Sequence, residues 1–499
     1  MLLGDIVANA TRRAPTERAL ITASRTVDFA TLDAQIDAWS AWLVASTSPG
    51  ARVAILAENR IEYVELLYAC ARAGRIAAPL NHRLHPNEWD DLLRQCGASV
   101  LVGEHALLRR WTDEGTADLT AIDFDAFTPP PAPAPRHLLD ESDVVWLIAT
   151  SGTTGLPKWA KLSHRSLTAG VTNLGLSRPI TRDDVLATPF PMCHVAVYNV
   201  LAFHLHARPV VLLETFDADR LNTLIQRERV RTLSLAPTMI ATWLDAATTT
   251  TTDLSSLRIL GYGASAIPAP VLQRAVAELP HVDLSQGYGM TELSGNAAFL
   301  GGDEHRRAAD GDDRLLRAAG RGGPLVALKV IDDEGNEVAP GIAGEVCVRG
   351  DQVCLGYWEQ PDATSAAFGT DGWFRTGDLG RIDVDGVLSI VDRKKDVIVT
   401  GGENVASREV EQVLERHPAV QEVAVVGVPD PVWGENVCAV VVPSDPMAPP
   451  TLEELVAWSR DHLAGFKKPK RLVLVAELPK NATGKIQKQI LRAQVDPGE

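Results

Sequence analysis

The sequence predicts an α/β fold, with a large N-terminal body of parallel-type sheets covered by helices and a small α+β domain at the C-terminus. Three observations predict it. Short apolar runs of strand character alternate with longer helical segments through about residue 280, short strands and turns take over after about residue 325, and a compact mixed pattern restarts beyond Asp396.

The strand candidates of the first region are Arg52–Ala57, Ser99–Gly103, Val144–Ala149, Val210–Leu213, Thr232–Ala236 and Leu257–Gly261, and the helical ones include Ile61–Ala73, Asp217–Arg229 and Ala269–Leu279. The proline-rich stretch Thr128–Arg136 reads as a surface crossing inside one domain, because strand pattern resumes on both sides. The threonine run Thr248–Thr252 reads as an exposed loop. Strand-like VALKVIDDEG and GEVCVRG follow, then the turn DVDG before VLSIVDRKKD. In the last region a helix is expected near Ser407–Arg416, strands at Val423–Val428 and Val437–Val442, a helix near Leu452–Leu463 and a strand at Arg471–Val475. The expected division is 1–391, a hinge at Asp392–Asp396, and 397–499.

Bulk properties narrow the function. A chain of 499 residues with 45% apolar and 22% charged residues is an ordinary globular chain of more than one domain. A net charge of −16 argues against a nucleic-acid or anionic-lipid binder. The six cysteines show no metal-ligand spacing and read as reduced core residues. Asp5 interrupts what would be a signal core, and no run approaches the ~18 apolar residues of a membrane span. A cytoplasmic protein without integral membrane association is expected. From Lys467 to Arg492, eight basic residues stand against one acid, a net of +7, which suits either a solvated helix face or contact with a polyanion.

Five stretches carry chemistry. TSGTTGLPK, Thr150–Lys158, follows a buried strand; its small residues let consecutive amides converge on an anion, with hydroxyls and one ammonium added. Its glycine spacing is not that of the common GxxxxGK[ST] phosphate loop. QGYGMTELS, Gln286–Ser294, offers a stacking aromatic, a hydroxyl and a carboxylate, and a carboxylate beside phosphates suits Mg²⁺. In GWFRTGDLG, Gly372–Gly380, Asp378 is placed either to bind a ribose diol or to stabilise its own turn. DRKKDVIVTGGENV and PKNATGKIQK complete the set, the second bringing Lys485 after a glycine in a polar loop.

In this order the five stretches resemble the acyl-adenylate-forming (ANL) superfamily of acyl- and aryl-CoA ligases, beetle luciferases and peptide-synthetase adenylation domains. YGMTEL, GWFRTGDLG, DRKKDVIVTGGENV and PKNATGKI look closest to bacterial fatty-acyl-CoA synthetases. The resemblance implies a distorted β-barrel-like part in the large domain and a mobile small domain. It also implies an ATP-dependent, AMP-forming enzyme that activates a carboxylic acid, read here as a fatty acid, and passes it to coenzyme A. The implied partners are the acid, ATP, Mg²⁺ and CoA.

Carried over residue by residue, Thr150, Ser151, Gly152, Thr153, Thr154, Gly155 and Lys158 would cradle the β- and γ-phosphates. Thr291 and Glu292 would meet the α-phosphate and magnesium, with Ser151 a second metal contact. Gly263, Ala264 and Ser265 with Gly287, Tyr288, Gly289 and Met290 would hold adenine, and Asp378 with Arg393 the ribose. Lys485 would supply a mobile positive charge to adenylation. Lys395 would be the hinge, and Thr400, Gly401, Gly402 and Glu403 would line the thiol channel. Val195–Ala202 and Gly261–Ser265 would line the acyl pocket. His194 fits two roles, a gate to that pocket or a buried structural histidine.

Trp159 departs from the family, which usually has glycine after Pro-Lys. Its indole would either pack beneath the loop and stiffen it or crowd it and slow ATP entry. Transfer to a carrier protein, an aryl or steroid side-chain acid as substrate, and an inactive nucleotide sensor are the competing readings. The sequence leaves monomer or homodimer open.

Overall fold

The computed structural model describes the chain except residues 115–118, 129–137, 151–156, 247–248, 250, 264, 266, 317, 370, 401–402, 431, 481–484 and 496–499. It divides into two compact units, Met1–Leu328 with Val348–Phe374, and Lys329–Cys347 with Arg375–Glu499.

The first unit is built on two sheets. In one, Thr26–Asp28, Arg18–Ile21, Val210–Leu212, Leu186–Thr188, Thr232–Leu235, Ile259–Gly263, Asp283–Met290 and Gly295–Leu300 lie side by side in that order. Pairing is parallel from Arg18–Ile21 through Asp283–Met290, and turns antiparallel at Gly295–Leu300. In the other, Ala121–Asp123, Ala98–Gly103, Arg52–Leu56, Ile76–Pro79 and Val144–Thr150 are parallel, and Lys158–Ser163 returns antiparallel as a hairpin. Both reversals sit where the sequence places phosphate-contacting motifs.

Apolar faces explain the helices. Ile61–Ala73 is buried on nearly every face and packs on Phe29–Ser46, with Trp39, Tyr63 and Tyr68 in the core between the sheets. It stops at Gly74, whose φ of 67° is a left-handed cap that a side chain would strain. The helix expected over Asp217–Arg229 runs Ala218–Glu228, with the Asp217 carboxylate accepting from the Arg220 N–H. The strand expected at Leu257–Gly261 begins two residues later, at Ile259, and extends through Gly263. Most of the proline-rich stretch and part of the threonine run lie outside the described residues.

Trp159 is 1% exposed and packs with Ala54, Leu56, Trp89 and Leu147 behind the hairpin, while its carbonyl accepts from the Trp358 N–H at 2.8 Å. It belongs to the hydrophobic core that includes the strands on either side of the Thr150–Lys158 segment. Trp159→Ala is expected to lower unfolding stability by about 3–5 kcal/mol in a denaturant titration, as other large-to-small core changes do. Unchanged stability with tighter ATP binding would restore the crowding view.

The strand-and-turn region expected after residue 325 falls largely in the second unit, with Val348–Phe374 belonging to the first. Ala327–Ile331, Gly344–Arg349, Phe374–Ile382 and Leu388–Arg393 lie side by side, the last two antiparallel with Asp378 opposite Arg393. The C-terminal sheet joins Glu403–Val405, Ile398–Thr400, Gly434–Pro443 and Val420–Asp430, with Arg471–Leu474 parallel to Gly434–Pro443. Helix Ser407–Leu414 covers one face and Lys488–Val495 the other. The helix near Leu452 is shorter than expected, ending at Trp458. All six cysteines are free and buried. Among the described residues no helix is long and apolar enough to cross a membrane.

Candidate active site

In the first unit the described ends of two hairpins meet. Strand Asp283–Met290 ends in the turn Thr291–Leu293, and Ser294, at φ 49°, reverses the chain into Gly295–Leu300. Strand Lys158–Ser163 packs against that turn. At its start the Thr150 hydroxyl donates to the Lys158 carbonyl at 3.2 Å, so the ends of the phosphate-loop candidate are tied together. Ser151, Gly152, Thr153, Thr154 and Gly155 lie outside the described residues, as do Ala264, Gly401 and Gly402.

Tyr357, which the sequence reading did not single out, joins the two ends. Its hydroxyl donates to Glu292 Oε1 at 2.9 Å, and the Lys158 ammonium stands 5.0 Å from its ring centre. Burial, and then the neighbouring Glu292 carboxylate, push the Tyr357 phenol well above its usual range, so it remains a donor. Glu292 is 9% exposed. One carboxylate oxygen is committed to Tyr357 and the other has no hydrogen bond among the described residues, an arrangement that fits a hard divalent cation shared with phosphate oxygens. A metal-binding cluster built from protein ligands alone is absent among the described residues.

Gly263 and Gly287 are register partners on adjacent strands. The neighbouring strand accounts for the glycines around Tyr288. A Cβ on Gly287 would stand 1.9 Å from the Asn296 amide nitrogen, and one on Gly289 2.0 Å from the Gly295 carbonyl. Tyr288 is half-buried on the opposite face, Met290 leads into Thr291, and Ser265 is exposed. His194 caps the turn Val195–Val197 before helix Tyr198–Leu205. Burial lowers its imidazole to about 4, with Arg83 and His82 adding to the effect, so the ring is neutral at pH 7. Its Nε2 is buried without a partner, which leaves both of its expected roles standing.

The second unit gathers a different set. Arg393 Nε lies 3.2 Å from Asp378 Oδ1, and Asp378 is 5% exposed. Lys485 is part-buried within electrostatic reach of both. Burial first, then the Arg393 and Lys395 cations, pull its ammonium down to about 8, while Asp378 and Asp396 oppose them. The segment expected as a hinge is clamped on both sides. Asp392 Oδ2 accepts from the Ser407 N–H and hydroxyl at 2.5 and 2.8 Å, Lys394 pairs with Asp333 and Glu345, and Arg492 binds Asp396 and the Lys395 carbonyl.

Thr400 is buried, paired with Glu403 and Gly434, and its hydroxyl has no partner; Glu403 is exposed. Much of the basic surplus after Lys467 is neutralised at home. Lys467 pairs with Glu409, Lys480 with Glu422, Lys488 with Glu411 and Arg492 with Asp396. Lys470 instead stands 3.7 Å above the exposed Trp433 ring.

Comparison with known proteins agrees with this architecture. The AMP-binding enzyme family model matches residues 7–358, and the model of the AMP-binding enzyme C-terminal domain matches 409–485. Feruloyl-CoA synthase of Amycolatopsis sp is 36% identical over 90% of this chain and 89% of its own length. Indoleacetate–CoA ligase of Aromatoleum aromaticum is 35% identical over 96% of both chains, and long-chain-fatty-acid–CoA ligase FadD13 of Mycobacterium tuberculosis is 32% identical over 89% and 88%. Bacillus subtilis o-succinylbenzoate CoA synthetase, solved with its acyl-adenylate intermediate, superposes with a TM-score of 0.89 at 28% identity, over 99% of this chain and 98% of that one. The chain therefore belongs to the AMP-binding enzyme family, within the acyl-adenylate-forming superfamily, and is an AMP-forming ligase of the acyl-CoA synthetase type.

Proposed function

We propose that this enzyme activates a small-molecule carboxylic acid with ATP and hands the acyl group to coenzyme A. The observation that carries the reading is the buried Glu292 carboxylate, bound by Tyr357 under the Lys158 ammonium, where the described ends of two hairpins meet.

A carboxylate oxygen of the acid attacks the α-phosphorus, and the bond to the bridging oxygen breaks, releasing pyrophosphate. The thiolate of CoA then attacks the acyl carbon, and AMP leaves with the bonding electrons. Thr150 with residues 151–155 and Lys158 hold the β- and γ-phosphates; Thr291 and Glu292 face the α-phosphate. Magnesium, held by Glu292 and Ser151, supplies neutralising charge to the phosphates when bound. Gly263, Ala264, Ser265 and the strand from Gly287 to Met290 receive adenine, and Asp378 with Arg393 the ribose, which their 3.2 Å contact supports. Lys485 balances charge during adenylation. The small domain beyond the 392–396 hinge turns on Lys395 to bring Thr400, Gly401, Gly402 and Glu403 to the thiol. His194 gates the acyl pocket. The enzyme works in the cytoplasm.

The acid class is open between aliphatic and aromatic frames. The fatty-acid expectation is supported by one relative named above, and an aryl acid by the two more similar ones, named for feruloyl-CoA and indoleacetate. Trapping the acyl-adenylate with hydroxylamine across fatty, aryl and dicarboxylic acids is expected to give acid-dependent hydroxamate, and adding CoA a thioester. Failure of every acid in the panel to give hydroxamate, or thioester formed only on a carrier protein, would overturn the respective half of the reading.

A further inference from the structure

On one face of the long sheet the strands present Gly261 and Gly263, the latter in register with Gly287, a floor without side chains of its own. Arg178, which caps helix His164–Ser177, lies over that floor. A Cβ on Gly261 would stand 2.3 Å from its Nη1. Such a guanidinium has five donors, yet among the described residues its side chain makes one hydrogen bond, at a long 3.4 Å, to the neutral Asn199 Oδ1. The nearest acid to which it responds, Asp184, is already engaged by the Thr181 N–H and hydroxyl at 2.6 and 2.9 Å and by Arg231 at 3.4 Å. Burial lowers the guanidinium from its ordinary value, the response of a cation short of compensation.

A second, independent observation lies beside it. Tyr198 is 3% exposed, and its buried hydroxyl has Asn296 beside it but no hydrogen bond of good geometry among the described residues. Its ring lies against Gly295, where a Cβ would come within 2.7 Å, and its phenol senses Arg178 and Asn296. Tyr198 and Asn199 belong to the segment Val195–Ala202 and Gly261 to Gly261–Ser265, the two stretches expected to line the acyl pocket. A half-buried guanidinium with one long hydrogen bond among the described residues keeps donor capacity for an acceptor that a ligand brings. A purely apolar acyl tail supplies nothing.

We propose that Arg178, with Tyr198 beside it, is the specificity-determining point of the acyl pocket, and that it receives a second carboxylate at the end of the acid remote from the one activated. The proposal rests on the adenylation reading above and names the substrate class of that site. A guanidinium binds a carboxylate through paired, charge-assisted hydrogen bonds.

The test compares acids that differ only at the far end, such as adipate with hexanoate and para-carboxycinnamate with cinnamate, extended to the best acids of the hydroxamate panel. The readout is kcat/KM for acid-dependent pyrophosphate release by the full chain. The wild-type enzyme is expected to favour the dicarboxylate of a pair by about ten-fold or more, the scale of a site built to bind a polar group. Arg178→Met is expected to abolish or invert that preference, with the KM for ATP unaltered, and Arg178→Lys to keep part of it. Equal values within every pair, a preference for the monoacid, or a preference untouched in Arg178→Met would overturn the proposal. Because the wild-type ratio decides on its own, a variant that fails to fold does not shelter it. A wild-type enzyme that releases pyrophosphate with no acid at all would instead overturn the adenylation reading.

Discussion

Lys485→Ala is expected to reduce acid-dependent pyrophosphate exchange by roughly 10²–10³, the loss typical of one preorganised charge removed from a developing anionic transition state. The same variant is expected to convert chemically supplied acyl-adenylate to thioester at close to the wild-type rate, because sulfur attack on the acyl carbon places no new charge on phosphorus. The titration adds a second signature. Burial and the Arg393 and Lys395 cations hold the Lys485 ammonium at about 8, so the charged form dominates below that pH and is lost above it. If the charged form is the working one, kcat/KM for adenylation falls as pH rises through about 8. Bound ATP, being anionic, raises the ammonium's pKa, so the fall in kcat lies at higher pH than the fall in kcat/KM. Lys485→Arg, which stays charged, removes that descending limb whatever its absolute rate. Exchange at the wild-type rate in Lys485→Ala, or a limb that persists in Lys485→Arg, would release this residue from its role.

The features that sequence made visible are those written in consecutive residues. Helix Ile61–Ala73 is bounded as expected because an unbroken apolar run meets a left-handed glycine at Gly74. The helix over Ala218–Glu228 carries its start and stop in Asp217 and Arg229, the latter at φ 51°. Where glycines interrupt a strand, the reading slips. The strand expected over Leu257–Gly261 continues past Gly261, because sheet pairing with Ser285, Gln286 and Gly287 carries it to Gly263. The glycines flanking Tyr288 were assigned to ligand approach, whereas the crossing strand at Gly295 and Asn296 already demands them.

Residues whose meaning is purely tertiary were out of reach. Tyr357 lies 65 positions from the carboxylate it binds, and nothing in LGYWEQ announces that pairing. Arg178 follows a helix end, where a basic residue is ordinary. Only the fold sets its guanidinium on a glycine floor with almost nothing to bind. The surplus of positive charge after Lys467 misled in the opposite direction, since its partners Glu409, Glu411, Glu422 and Asp396 all precede it in the chain and were counted elsewhere.

Lys395→Pro is expected to leave pyrophosphate exchange near wild type and to abolish thioester formation. Residue 395 sits in the short 3₁₀ turn Lys394–Asp396 that links strand Leu388–Arg393 to strand Ile398–Thr400. A proline ring holds φ near −65°, a value the 3₁₀ turn accepts, so the arrangement that places Lys485 beside Asp378 and Arg393 is preserved. A rotation that swings the C-terminal sheet needs a large dihedral change at one or two residues, and the ring forbids it at this one. The clamps around the turn would have to open in the same step: Ser407 from Asp392, and Arg492 from Asp396 and the Lys395 carbonyl. Weakening a clamp is therefore expected to act in the opposite sense to the proline. Arg492→Ala loosens the conformation seen here, which favours rotation at some expense to adenylation. Rapid-quench separation of the two half-reactions reads both variants directly. Thioester formation at the wild-type rate in Lys395→Pro would mean that the chain turns elsewhere, or that one arrangement of this unit serves both steps.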